Sequence, residues 1–302
     1  MIHQLLTTRV ILQLMLIVSL FTVVSATLQA QSSTTTSTTS TADTTSTIRV
    51  DVVYGALTSS ADVDGRAVSP SFRYSMPCGN YRLHGAAGFV HTVVDRPGKE
   101  SRQLFGLTNA IIGISRPLEL PHISTTLNIG LSAGIPLAFY MMDDVEDKRV
   151  YDFGLTTAMA AQGFTMPYQW MVNTAPIFAN VETFTEFAEG FGLSLDVAPA
   201  VLLPLNDRPV AASVAWNISA DVRSGRYSVD LGVSTFVSTT ALENGDHSQS
   251  AVVTHHSYDF GAVCVDLLVA LNLDGPHGLF FENTSVRTGA RIGLSYTFGD
   301  TP

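Results

Sequence analysis

The feature that most constrains this chain is a two-residue rhythm whose second face carries almost no bulk. In "GARIGLSYTFG", residues 289–299, Ala290, Ile292, Leu294, Tyr296 and Phe298 share one face of an extended strand, while Arg291, Gly293, Ser295, Thr297 and Gly299 share the other. Six more segments repeat the code. Ile48, Val50, Val52 and Tyr54 alternate with Arg49 and Asp51, and Ile123, Leu127, Ile129, Leu131 and Ala133 with Thr126, Asn128, Gly130 and Ser132. Phe191, Leu193, Leu195 and Val197 alternate with Gly192, Ser194 and Asp196, and Val214, Trp216 and Ile218 with Ser213, Asn217 and Ser219. Tyr227, Val229, Leu231 and Val233 alternate with Ser228, Asp230 and Gly232, and Val263, Val265, Leu267, Val269 and Leu271 with Cys264, Asp266 and Asn272.

A soluble sandwich would bury its apolar face and show water a face rich in Lys, Glu and Arg. Here the second face is mostly Gly, Ser, Ala, Thr and Asn with isolated charges, which suits a crowded, enclosed interior. Charged residues make up only 14% of the chain, against about 25% in ordinary soluble proteins. The charge-free stretches 121–142 and 153–181 carry Gly, Pro and amides throughout and fit membrane helices poorly. In hydrocarbon, backbone amides must be satisfied within the protein, and a closed barrel does this without an edge. The pattern therefore predicts an all-β fold, an antiparallel up-and-down transmembrane β-barrel of about 10–12 strands. Segments 81–94, 104–115 and 150–161 are weaker strand candidates, and residues 168–190 read either as a loop with a helical turn or as a strand. The order of the short "RSG" and the long "TTALENGDHSQS" connections conflicts with one strand count.

The N-terminus adds export. Arg9 is followed by an apolar run at 10–24 and by cleavage positions after Ala26 or Ala30, the layout of a secretory signal peptide. Neither cysteine, Cys78 or Cys264, lies there to carry a lipid. In residues 31–47 fourteen of seventeen positions are Ser or Thr, a tract with no apolar surface to offset the entropy of ordering. The expected organisation is a signal peptide at 1–30, a disordered leader at 31–47 and a barrel at 48–299.

With its signal peptide ending "LQAQ" and its last strand "GARIGLSYTFG", the chain resembles the outer-membrane β-barrel proteins of Gram-negative bacteria. The resemblance is one of architecture and points to no subfamily. It implies an outer-membrane location, contact with outer-membrane lipid, and recognition by the barrel assembly machinery through Tyr296 and Phe298 in the last strand. Many members finish on the aromatic itself, whereas Gly299, Asp300, Thr301 and Pro302 follow Phe298 here.

No chemistry stands out. His84 and His91 are an odd number apart and face opposite sides of a strand, and His255 and His256 also point apart, so no metal site is expected. A disulfide between Cys78 and Cys264 needs Cα atoms within about 7 Å and is not favoured. Ser and His are too numerous to single out a triad from the sequence, so the chain is not expected to be an enzyme, and no cofactor is implied. The net charge of −10, with no clustered Lys or Arg, argues against nucleic acid.

Arg49, Asp51, Asp196, Asp230, Asp266 and Arg291 are the expected lumen-facing charges. Their acidic excess would favour cations in a wet lumen. Salt bridging within a plugged interior fits better, because small barrels are filled by their own side chains. The function expected is structural or a narrow passive route, with loops near 58–66, 95–102 and 141–149 available for contacts. Two other classes compete. A lipid-modifying barrel enzyme would show a clustered Ser-His-acid group, and a secreted β-sandwich adhesin would be soluble without detergent.

Overall fold

The computed structural model describes residues 45–298 apart from 60–63, 121–124, 138–143, 206–208, 240–246, 274–283 and 286–287. The signal peptide and most of the leader therefore lie outside the described residues. The strands are β1 (Ser46–Ser59), β2 (Asp64–Cys78), β3 (Tyr81–Asp95), β4 (Arg102–Leu107), β5 (Ala110–Leu120), β6 (Thr125–Ile135), β7 (Thr174–Ala188) and β8 (Phe191–Pro204). They continue as β9 (Ala211–Ser224), β10 (Tyr227–Ser238), β11 (Ser248–Asp259), β12 (Val263–Asn272), β13 (Thr284–Ser285) and β14 (Thr288–Phe298). β1 starts at Ser46, two residues inside the tract assigned to the leader.

Every described pairing is antiparallel, and β1 pairs with both β14 and β2, which closes the sheet on itself. β4 and β5 lie along the two halves of β3, and β13 and β14 along the two halves of β1, so the fourteen segments described fill twelve lanes. One rim is formed by tight connections such as Gly79-Asn80, Glu189-Gly190 and Gly225-Arg226, where the glycines take φ of +62°, +75° and +60°. The other rim carries the longer connections, among them 96–101 and 136–173. Because β7 is a strand, "RSG" falls on the tight rim and "TTALENGDHSQS" on the long one, and the apparent conflict disappears.

The alternation is inside out relative to a soluble protein. Ile292 and Leu294 are 60% and 52% exposed, while Arg291 between β14's apolar positions is 7% exposed and Asp51 on β1 is fully buried. A second sheet covering the apolar face, as the sandwich alternative requires, does not exist among the described residues. Tyr81, Phe187, Phe191, Tyr227, Tyr258, Phe260, Tyr296 and Phe298 are all exposed near the tight rim, the belt expected where a barrel leaves hydrocarbon for headgroups. Tyr54 and Trp216 lie away from that rim, so neither belongs to this belt.

Residues 150–161 are not a strand. They belong to helix α1 (Val145–Ala161), which also takes in the loop segment 145–149. Asp144 caps it by accepting from the Glu146 amide at 2.7 Å, and Glu146 and Asp147 place negative charge in its first turn. Its buried residues, Val150, Tyr151, Leu155, Ala158 and Ala161, recur at helical spacing and face the walls of β1 to β4. No helix among the described residues is long and apolar enough to cross a membrane, and α1 instead packs inside the barrel. The fit depends on missing side chains. Gly55 and Gly289 are opposite each other on β1 and β14; a Cβ at Gly55 would lie 2.9 Å from both Ala161 Cβ and Thr157 Cγ2, and one at Gly289 would collide with the Ala161 backbone.

Candidate functional site

Helix α1 and the 3-10 turn after it (Pro167–Trp170) fill part of the lumen. Their anchors are polar. Thr108 and Asn109 interrupt the lane between β4 and β5, and the Asn109 amide donates to the Met171 carbonyl at 2.7 Å while its backbone N–H donates to Gln169 O at 2.8 Å. The segment expected as one strand at 104–115 is broken at this docking point. Pro70 on β2 has no N–H to give its opposite residue Phe89; the Ser69 hydroxyl donates to Phe89 O at 2.8 Å instead and accepts from the Trp170 indole at 3.2 Å. Tyr151 donates to Leu107 O, and burial pushes its phenol up to about 12, so it stays a donor. Asn272 on β12 donates to Ala160 O at 3.1 Å, capping the helix C-terminus. At the other end Arg96 pairs with Glu146, and Arg102 Nη1 with Asp147 Oδ1 at 2.6 Å.

The predicted charges fall into two groups. Arg49, Asp51, Asp266 and Arg291 form one cluster, joined by Arg73, His255 and Asp230. Arg49 donates to Asp51 at 2.8 Å and to Asp266 at 2.6 Å, crossing the β14 lane to do so. It can cross because residue 293 is glycine: a Cβ there would lie 2.6 Å from Arg49 Nη2 and 2.7 Å from Asp51 Oδ1. Arg73 Nε is 3.1 Å from Asp51 Oδ2, and Arg291 is 3.6 Å from both carboxylates. His255 extends the chain, with Nε2 at 3.1 Å from Asp266 and Nδ1 at 3.0 Å from Asp230.

Asp196 is not in this cluster. It belongs to an acidic wall on β7 to β9, with Glu182 and Asp221. Asn217 donates to Asp196 at 3.4 Å, Asn128 to Glu182 at 2.9 Å and Ser194 to Asp221 at 2.7 Å. No Lys or Arg ion pair reaches these three carboxylates among the described residues. Asp221 sits directly opposite Asp230, a like-charge pair that costs stability in a sheet. Between the two walls, beneath the plug, lies a cavity of about 350 Å³ lined by Glu182, Asp196, Asp221, Asp230, His255 and Arg291 and roofed by plug residues.

Three residues of this site, Arg73, Glu182 and Asp221, escaped the sequence reading, although each continues an alternation: Ser71 to Arg73, Asn180 to Glu182, Ser219 to Asp221. Both ring nitrogens of His255 face carboxylates, and those of His256 face Tyr227 and Thr254 on the outer side. His84 Nε2 meets the hydroxyl of Ser132, the serine of Gly130-Leu131-Ser132-Ala133-Gly134, at 3.0 Å, with the Glu182 carboxylate near enough to act on the ring but not hydrogen-bonded to it. No hydrogen-bonded Ser-His-acid chain occurs among the described residues, and no group of His, Cys, Asp and Glu among them could hold a metal ion. Cys78 and Cys264 are free; both stand near the tight rim, on lanes separated by β1 and β14. Three interstrand steps of about 4.8 Å put them well beyond bridging reach.

No family model and no curated protein matches the sequence. Solved structures do match. An outer membrane channel from Pseudomonas putida F1 superposes with a TM-score of 0.61 at 10% identity, covering 84% of this chain and 95% of that one. The translocator domain of the autotransporter NalP from Neisseria meningitidis gives 0.50 at 8% identity, covering 84% and 88%. The fold is that of an outer-membrane β-barrel. With this fold assigned, the aromatic belt at the tight rim and the exposed apolar lanes have their ordinary explanation as lipid-facing surface.

Proposed function

We propose that the protein is a narrow passive channel of the bacterial outer membrane, exported by the signal peptide at 1–30 and carrying its own loop as a partial plug. The tight rim then faces the periplasm and the longer connections face outward, as in other barrels of this kind. Tyr296 and Phe298 are offered to the assembly machinery at the end of the last strand. Asp196, Asp230 and Arg291 line the route, and Arg49, Asp51 and Asp266 brace the wall beside it. The observation that carries this reading is the cavity: a twelve-lane barrel is too wide to be filled by wall side chains alone, and the plug leaves about 350 Å³ of polar-walled space. The channel from Pseudomonas putida F1 has the same fold, which is compatible with the reading. A lipid-modifying enzyme has less support, because the outer-side pair Thr254 and His256 lacks an acidic partner and the sheet amides beside it are already paired.

Planar-bilayer recording on the refolded full chain is the test. Discrete current steps support a conduit. Their absence from a preparation that shows heat-modifiable gel migration removes it and leaves a structural role.

A further inference from the structure

We infer that the plug is a gate, shut in this structure, that leaves its seat against the wall in rare openings. The inference rests on the reading of the lumen as a solute route and names how that route is controlled. The seam between α1 and the wall is tight, yet part of it is chemically unsatisfied. Thr92 on β3, Thr157 on α1 and Gln162 at the end of α1 are fully buried or nearly so. The two hydroxyls and both ends of the Gln162 amide have no hydrogen-bond partner among the described residues. The α1 backbone at Gly154 lies directly against Thr92, where even a Cβ would collide with Oγ1, and Thr157 packs over the bare Gly55. Buried polar atoms without partners cost stability, and a wetted lumen would satisfy each of these once the helix moved away. A permanent filling would place apolar side chains there, as the same helix does at Leu155 and Ala158.

Backbone strain points the same way. Phe164 and Asn173 take φ of +61° and +50°, and they are the two residues other than glycine with positive φ among the described residues. Left-handed backbone is costly for a residue with a side chain, and most of all for a bulky one. Both residues belong to the plug: Phe164 turns the chain out of α1, and Asn173 joins the plug to β7 at Thr174. Packing with Phe178 and Phe236 holds Phe164 in place, so the strain lasts only while the plug is seated. At the outer end the latch is light, because Arg96–Glu146 and Arg102–Asp147 are partly exposed ion pairs of a kind worth little in water. The apolar contacts of Tyr151, Leu155 and Trp170 and the bonds from Asn109 and Asn272 oppose these costs and keep the gate shut most of the time.

The test reads the seam chemically. In a Cys78→Ser/Cys264→Ser background, Thr157→Cys is treated with a charged, membrane-impermeant methanethiosulfonate in the full chain refolded into lipid vesicles. The expected result is slow modification of a barrel that keeps its heat-modifiable migration. Adding Thr92→Val should slow it severalfold, because valine removes an unpartnered hydroxyl from the shut state. Failure of Thr157→Cys to react, under conditions in which the exposed Cys78 of the wild type reacts fully, would overturn the inference. So would a rate that Thr92→Val leaves unchanged or raises. Bilayer recording separates the two readings. Modification without current keeps the moving plug and removes the passive route, whereas current without modification removes the gate and leaves the route.

Discussion

On one side of the lumen Arg49, Asp51, Arg73, Asp266 and Arg291 answer each other across β2, β1, β14 and β12; on the other, Glu182, Asp196 and Asp221 on β7 to β9 take hydrogen bonds from the neutral Asn128, Asn217 and Ser194. Both sets are ionisable groups on the enclosed face of the same barrel, but they are built for different ends. The first sets two carboxylates among three guanidiniums within a few ångströms, and its main effect is to lock lanes together. The second leaves its charge turned toward open space, where a mobile solute can answer it. A lumen charge thus indicates structure or traffic only once its partner is known.

The comparison breaks most sharply at Asp51. Asp51→Ala strips Arg49, Arg73 and Arg291 of a shared buried partner, and the expected loss is about 3–5 kcal/mol, measured by urea unfolding in lipid vesicles. Asp196→Asn on the opposite wall should stay within about 0.5 kcal/mol of wild type, because its present partner is a neutral amide. Equal losses at the two positions would erase the distinction between the walls. Next in size is Gly289→Val, whose side chain enters the space of Ala161. The plug should be displaced while the barrel still closes, so conductance rises and the folded band persists on an unheated gel. Unchanged conductance would mean that α1 is not the obstruction.

A smaller effect concerns selectivity. E182Q/D196N should move the reversal potential in a salt gradient toward that of a non-selective pore without changing stability, and a shift toward stronger cation preference would contradict the acidic-wall reading. The smallest concerns pH. The Arg96 guanidinium holds the Glu146 carboxyl below its ordinary value of 4.5, so its contribution is present above that value and is lost as pH falls through the lowered one. Wild type should therefore loosen its plug only in acid, seen as rising conductance, and Glu146→Gln should flatten that rise.

The barrel was legible because seven lanes separate large apolar from small side chains cleanly. β2 follows the same rule, Val68, Pro70, Phe72, Tyr74 and Met76 against Ser69, Ser71, Arg73 and Ser75, but Pro70 disguises it, since proline ordinarily signals a strand's end. β11 is hidden by a different cause: "AVVTHH" places apolar side chains on both faces, because its inner ones, Ala251 and Val253, pack near the plug's Gly163 instead of facing water. The helix was missed for want of weight on one residue. "DDVEDK" reads as a turn until Asp144 is seen as an N-cap with acids following it. The paired cluster was half visible, since the alternation marks Arg49, Asp51, Asp266 and Arg291. Which charge answers which depends on the crossing over Gly293, a fact of lane order that no single strand records.

Placement of the apolar face against lipid underlies all of this, and brominated-lipid quenching of single-tryptophan variants probes it directly. With Trp170 and Trp216 replaced by Phe, a tryptophan at Leu294 should be strongly quenched by bromines near the bilayer centre, and one at Val53, beside the plug, should not. Equal quenching at the two sites, or quenching at Val53 alone, would contradict the barrel as described.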